Sequence, residues 1–183
     1  MGYYFSEKET FNEIIRNTNG IAESISRNPL AFLLEAADDI AYKAADIEDG
    51  YKKGKLSYED IELALCELIE KEKESVEEEI KLHKSLLGYY EEAKNLRYNN
   101  PGFYAVQRFR IRVQGFMMSA VTKAFIDNYT SIMQGDFEKE LLKVSSAHRI
   151  SKMLGTLAYK HIFTSSDILT LEVTGDKIIV SVQ

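Results

Sequence analysis

The sequence predicts a mainly α chain closed by a short β-hairpin. Three observations carry that expectation. Apolar residues recur at helical spacing through most of the 183 residues; Pro29 and Pro101 stand where helices begin, with Gly50 and Gly135 as punctuation further on. The residues from Ile168 onward turn β-rich. At 45% hydrophobic and 28% charged, the chain has the composition of a folded globular protein long enough to bury a core. With one cysteine, Cys66, it has no disulfide framework. Neither a signal peptide nor an apolar run of about 18 residues is present, so the expected compartment is the cytoplasm, with no membrane partner. A net charge of −6 argues against broad, sequence-independent nucleic-acid binding.

The elements follow in order. Ser6 with Glu9 forms a capping-box pattern before a helix over Thr10 to Arg16, and Asn17 to Asn28 reads as a polar connection. Pro29 opens a helix with no breaker before Gly50. Ser57 caps a helix through Ile61, Leu65, Leu68 and Ile69 that is expected to run on through the charged EKEKESVEEEIKLHK stretch towards Tyr90. Its alternating signs suit a solvated helix face. Asn99 to Gly102 break the pattern, and Pro101 starts a long helix from Phe103 to about Met133. Gly135 ends it, ahead of helices around Phe137 to Val144 and from Ser145 to Ile162. Ile168 to Thr174 and Lys177 to Val182, separated by Gly175 and Asp176, are expected to pair as the hairpin, spanning 168–182. No interdomain linker is evident, so residues 1–183 read as a single helical region.

The chemistry concentrates in the Pro29 helix. At about 100° per residue, Glu35, Asp38, Asp39, Tyr42, Asp46 and Asp49 share a stripe about 100° wide. Leu33, Leu34, Ala37, Ile40, Ala41, Ala44, Ala45 and Ile47 are expected to fill the other side. A row of carboxylates broken only by a tyrosine, with no Lys or Arg inside it, is what a cation or polyol site needs. The plainer reading is the wet face of an amphipathic helix. Like charges four residues apart repel by a few tenths of a kcal/mol per pair, so groups outside the stripe are expected to offset them.

The string Arg-x-Pro-Leu at Arg27 to Leu30, followed by EAADDIAY and DIEDG, resembles the deoxyguanosine triphosphate triphosphohydrolase (dGTPase-like) family of the HD-domain superfamily. The resemblance extends to SEKETF at Ser6 to Phe11, VQRFRIRVQG at Val106 to Gly115, AFIDNYTSIMQGDF at Ala124 to Phe137 and the closing TLEVTGDKII. It implies a multi-helix HD-type segment, from an enzyme that hydrolyses dGTP or another dNTP to deoxynucleoside and inorganic triphosphate with a divalent metal, Mg or Mn. Matched residue by residue, it makes Asp38 the metal-ligating aspartate distant from the His and His-Asp ligands. Tyr42 becomes the tyrosine against the substrate, and Asp46 the carboxylate that accepts from the sugar 3′-hydroxyl. The helical arithmetic puts these three on one face, about a turn apart.

The departure from the family pattern is equally informative. Only His83, His148 and His161 occur, none followed by Asp, so the His…His-Asp half of the metal site is missing. The expectation is therefore a fragment covering the middle to C-terminal portion of such an enzyme, inactive alone and holding no metal by itself, because one carboxylate is a poor metal site. Its expected partners are a dNTP and either further copies of itself or the missing N-terminal half. The alternative is a non-catalytic regulatory or oligomerisation module related to these enzymes. Arg108, Arg110 and Arg112 are candidate phosphate contacts, since guanidinium suits bidentate phosphate binding. Arg110 lies nearly opposite the other two, so all three cannot serve one triphosphate, and pairing with the abundant glutamates is the plainer role. His148 and His161 lack metal-ligand spacing and read as structural; Cys66 reads as a small core residue.

Overall fold

The computed structural model describes residues 4–18, 27–71 and 76–182. After a 3₁₀ turn at Phe5–Glu7 come α1 (Lys8–Thr18), α2 (Pro29–Lys52), α3 (Tyr58–Lys71), α4 (Glu77–Asn95) and α5 (Pro101–Asp127). They are followed by α6 (Tyr129–Gln134), α7 (Leu141–Val144), α8 (His148–Ala158), a π turn at Tyr159–Phe163 and α9 (Ser166–Val182). The mainly α expectation holds. No strand occurs among the described residues, so the C-terminal hairpin expected over 168–182 is corrected: those residues lie in α9. Their β-branched side chains favoured strands, but a two-stranded hairpin with no third strand beside it among the described residues is marginal in water. The backbone leaves the π turn already coiled, and Thr170 and Thr174 donate their hydroxyls to the carbonyls of Ser166 and Thr170, each at 2.7 Å.

Several boundaries follow the sequence. Asn28 caps α2 by accepting from Leu30 N–H at 2.9 Å, with Pro29 in the first turn. The Ser57 hydroxyl accepts from Asp60 N–H at 3.1 Å while Asp60 accepts from Ser57 N–H at 2.8 Å, a reciprocal cap on α3. Asn100 caps α5 through Phe103 N–H at 2.9 Å, and Gly135 ends α6 at φ 82°.

Others shift. The first cap sits two residues early, at Tyr4, whose N–H donates to Glu7 at 3.2 Å. The run from Ser57 towards Tyr90 is two helices rather than one: Cys66 Sγ lies 3.5 Å from His83 Nε2, whereas a continuous helix would separate residues 66 and 83 by about 25 Å. Asn128 interrupts the expected Phe103–Met133 helix by turning its amide back onto the Ala124 carbonyl at 2.8 Å. The helix expected from Phe137 shrinks to Leu141–Val144, since Phe137 instead packs edge-on against Phe32 of α2 at 5.4 Å.

Helix α5 is the axis of the core. Val106, Phe109, Val113 and Met117 are sealed between α4, through Leu82 and Leu86, and α2, through Ile40, Ala44 and Ile47. Helix α8 closes the bundle with Ile150 and Leu154, packing on both α2 and α3. The result holds α2 by one side only.

Candidate functional site

That one-sided packing determines what α2 exposes. It buries Phe32, Ala36, Ile40, Ala44, Ile47, Glu48 and Gly50. The expected apolar side was thus partly misplaced. Leu34, Ala37 and Ala41 face solvent beside Asp38 and Tyr42, because α5, α7 and α8 all lie on the Phe32–Ala36–Ile40 side. Tyr42 is 64% exposed and Leu34 62% exposed, so the open face mixes carboxylates with an aromatic and aliphatic surface.

The acids of the stripe separate into two sets. Glu35 is held by Arg27 at 2.6 Å, Asp39 by Lys43 at 3.4 Å, and Asp49 lies 3.8 Å from Lys52. These are the offsetting cations the repulsion argument required, and all of them stand outside the stripe. Asp38, Tyr42 and Asp46 make no ion pair or hydrogen bond among the described residues. Asp38 is exposed. Asp46 is half-buried, and that burial pushes its carboxyl up, as does the charge of Asp49, against a smaller opposing pull from Lys53.

Glu48, on the α5 side of the same helix, was not singled out by the sequence. It is 8% exposed and accepts from Lys52 at 2.7 Å and from Gln107 Nε2 at 3.2 Å. Arg110 Nε lies 2.6 Å from its other oxygen, an ion pair rather than an aligned hydrogen bond. The Lys52 contact, followed by Gln107 and Arg110, holds the Glu48 carboxyl below its ordinary range despite the opposing effect of burial. The only sequence signal was its i to i+4 spacing from Lys52.

The three arginines are therefore not one cluster. Arg110 faces α2 and Glu48. Arg108 lies over the Tyr89 ring of α4 at 5.3 Å, and with Arg112 it lines a hollow of about 260 Å³ shared with Tyr89, Ile111 and Gly115, none of them from α2. The structure brings Asp38, Tyr42 and Asp46 onto one open face and does not bring the arginines to it.

His148 and His161 are not core residues. They sit on the wall of a cavity of about 520 Å³ between α3 and α8, with Lys152 and Lys160. The spacing 148, 152, 156, 160 places one side chain per turn along that wall and was the available signal. Cys66 is half-buried between α3 and α4, and its surroundings push the thiol up, burial first. Among the described residues no group of three or more His, Cys, Asp or Glu is close enough to hold a metal ion.

The open face of α2 thus carries Asp38, Tyr42 and Asp46 with no ion pair or hydrogen bond among the described residues. Comparison with known proteins gives relatives along nearly the whole chain. Over 98% of its length the chain is similar to a deoxyguanosinetriphosphate triphosphohydrolase-like protein of Listeria monocytogenes, with 33% identity, covering 36% of that protein. It is 28% identical, over 97% of its length, to a deoxyguanosinetriphosphate triphosphohydrolase of Serratia proteamaculans, covering 34% of it. A deoxyguanosinetriphosphate triphosphohydrolase-like protein of Synechocystis is 23% identical over 97% of the chain, which covers 37% of that relative. No family model matches. The chain thus spans about a third of the length of the curated relatives it matches, and the dGTPase-like resemblance extends over nearly all of it.

Proposed function

We propose that this chain supplies one side of the active site of a dNTP triphosphohydrolase, which converts dGTP or another dNTP and water to deoxynucleoside and inorganic triphosphate in the cytoplasm. The observation that carries the reading is the pairing pattern on α2. Every other acid of the stripe has a cation, while Asp38, Tyr42 and Asp46 make no ion pair or hydrogen bond among the described residues, on a face that also exposes Leu34 and Ala41. An exposed acid such as Asp38 is ordinary in water, but a half-buried carboxylate, Asp46, beside exposed aliphatic side chains suits a face covered by ligand and by further protein.

In this reading Asp46 accepts a hydrogen bond from the sugar 3′-hydroxyl. Tyr42, one turn away, lays its ring along the deoxynucleoside and offers its phenol as a donor. Asp38 contributes one carboxylate to a divalent cation, Mg or Mn, in the complete enzyme. The residues described here do not make that cation site by themselves, since Asp38 has no companion ligands. The further ligands therefore belong to the part of the enzyme outside this third, and so do the phosphate-neutralising groups, since Arg108 and Arg112 lie against α4 and away from the open face of α2. The runner-up is a non-catalytic regulatory or oligomerisation module, favoured by the same lack of companion ligands around Asp38.

The test is a chimera in which these 183 residues replace the matching third of the Listeria protein. It is expected to release triphosphate from dNTPs, to process 2′,3′-dideoxynucleotides poorly, and to lose that discrimination with Asp46→Ala, because a carboxylate built to meet a hydroxyl is left unpaired by an analogue lacking it. Equal processing of both sugars by the unmutated chimera contradicts the role of Asp46. A folded chimera that binds dNTP without turnover favours the module.

A further inference from the structure

Helix α5 gathers positive charge that the proposed reaction does not use. Over its 27 residues Arg108, Arg110, Arg112 and Lys123 stand against one acid, Asp127, in a chain with 29 acids and a net charge of −6. Arg110 is engaged with Glu48. Arg108 and Arg112 turn the other way, towards α4, and make no ion pair among the described residues. They sit one turn apart, with about 5–6 Å between their Cβ atoms, so each destabilises the charge of the other. Helix α4 does not relieve them there: its Glu78 pairs with Lys81 at 2.6 Å and its Glu91 with Lys94 at 2.9 Å.

The two arginines flank the hollow of about 260 Å³ whose other walls are Tyr89, Ile111 and Gly115. No carboxylate lines it among the described residues, so an anion entering it meets two guanidinium groups and no like charge. The Tyr89 ring lies under the Arg108 guanidinium at 5.3 Å and limits where that group can point, which reduces the rotamer freedom lost on binding. Gly115 leaves one end open, since a Cβ there would meet nothing within 4 Å. A guanidinium fork pairs bidentately with phosphate oxygens, and two forks a turn apart match oxygens on successive phosphoryl groups. A track for nucleic acid needs several cations in line, whereas this hollow supplies two.

We propose that the α4–α5 hollow is a binding site for an inorganic oligophosphate, pyrophosphate or a longer chain, separate from the acidic face of α2 and independent of the reading of that face. Arg108 holds one phosphoryl group and Arg112 the next. Tyr89 sets the first guanidinium, and Gly115 leaves room for the terminal oxygens.

Isothermal titration calorimetry of the full 183-residue chain with sodium pyrophosphate in magnesium-free buffer tests this. One pyrophosphate per chain is expected to bind, with orthophosphate at least tenfold weaker because it engages one fork. Arg108→Met/Arg112→Met should raise the pyrophosphate dissociation constant at least tenfold. Gly115→Leu keeps every charge but fills the open end, and should raise it at least fivefold. Lys123→Met removes a charge from the same helix away from the hollow and should leave it unchanged. Far-UV circular dichroism of all three variants should match the parent. Absence of pyrophosphate binding overturns the proposal. So does binding that survives both the double substitution and Gly115→Leu, or that falls as much with Lys123→Met. A single-stranded oligodeoxythymidylate or ADP that displaces pyrophosphate at a tenfold lower concentration also overturns it, by assigning the hollow to nucleic acid or to a nucleoside phosphate.

Discussion

Arg110 Nε stands 2.6 Å from a carboxylate oxygen of Glu48, so of the two roles the sequence left to this arginine, phosphate contact or pairing with a glutamate, it takes the second and neutralises an acid buried between α2 and α5. Glu48 is also held by Lys52 of its own helix and by Gln107, and the Gln107 and Arg110 contacts fix the C-terminal half of α2, the half that carries Asp46, onto α5. Removing the guanidinium leaves a buried charge only partly compensated. Arg110→Met should lower unfolding stability by about 1–2 kcal/mol in urea titrations, less than for a buried pair with no other support. Wild-type stability in the variant would show that Lys52 alone suffices.

The same site fixes a pH dependence. The folded-state pKa of Glu48 is depressed from 4.5, with the Lys52 hydrogen bond the largest cause, so its contribution is complete above the unfolded value and is lost as pH falls through the lower folded value. Glu48→Gln should therefore flatten the acid limb of a Tm-against-pH curve below about pH 4.5, where the wild-type curve falls.

Asp46 has the opposite sign. Its folded-state pKa is raised from 3.8, chiefly by burial, so its stabilising contribution is complete below that value and is lost as pH rises through the folded pKa. At neutral pH the carboxylate is a cost to the fold. Asp46→Asn should raise Tm at pH 7 by about 2 °C, a small amount because the group is half exposed, and the gain should vanish at pH 3. A residue retained at a cost to stability is what a binding role requires. A fall in Tm at pH 7 would point to an unrecognised structural partner.

A second buried charge joins α4 to α8. Arg149 Nε donates to Glu79 at 2.8 Å, and Glu79 is 2% exposed. Arg149→Met should cost about 3–5 kcal/mol, since it strands an acid in the core. Adding Glu79→Gln should recover a large part of that loss, and calorimetry of the three proteins gives the coupling directly.

The helices whose ends carry side-chain caps were legible in the sequence. Asn28, Ser57, Asn100 and Gly135 each mark a boundary through local bonds, and local bonds are encoded by neighbouring residues. What was not legible depends on distant partners. The break between α3 and α4 became visible only when Cys66 met His83, and the short α7 only when Phe137 met Phe32. The fate of residues 168–182 turned on whether a two-stranded hairpin had a further strand or surface to support it, which β-propensity cannot report. In the site, spacing put Asp38, Tyr42 and Asp46 on one stripe with Glu35, Asp39 and Asp49, and the dGTPase-like resemblance singled out the three. Which side of α2 faces the core depended on α5 and α8, so Leu34 and Ala41 were misplaced and Glu48 was overlooked. Helical spacing also separated Arg110 from Arg108 and Arg112, and the structure adds the partners, Glu48 and Tyr89.

The most direct measurement is of bound Mn²⁺ and triphosphate release in the chimera carrying these 183 residues, with and without Asp38→Ala. Asp38 is exposed and makes no ion pair among the described residues, so its removal should leave the melting curve of the metal-free protein unchanged. The account predicts stoichiometric metal and dNTP turnover in the parent chimera, and loss of both in the variant. Retention of metal and near-parental turnover in Asp38→Ala would contradict it and leave the acidic stripe of α2 as a solvated helix face.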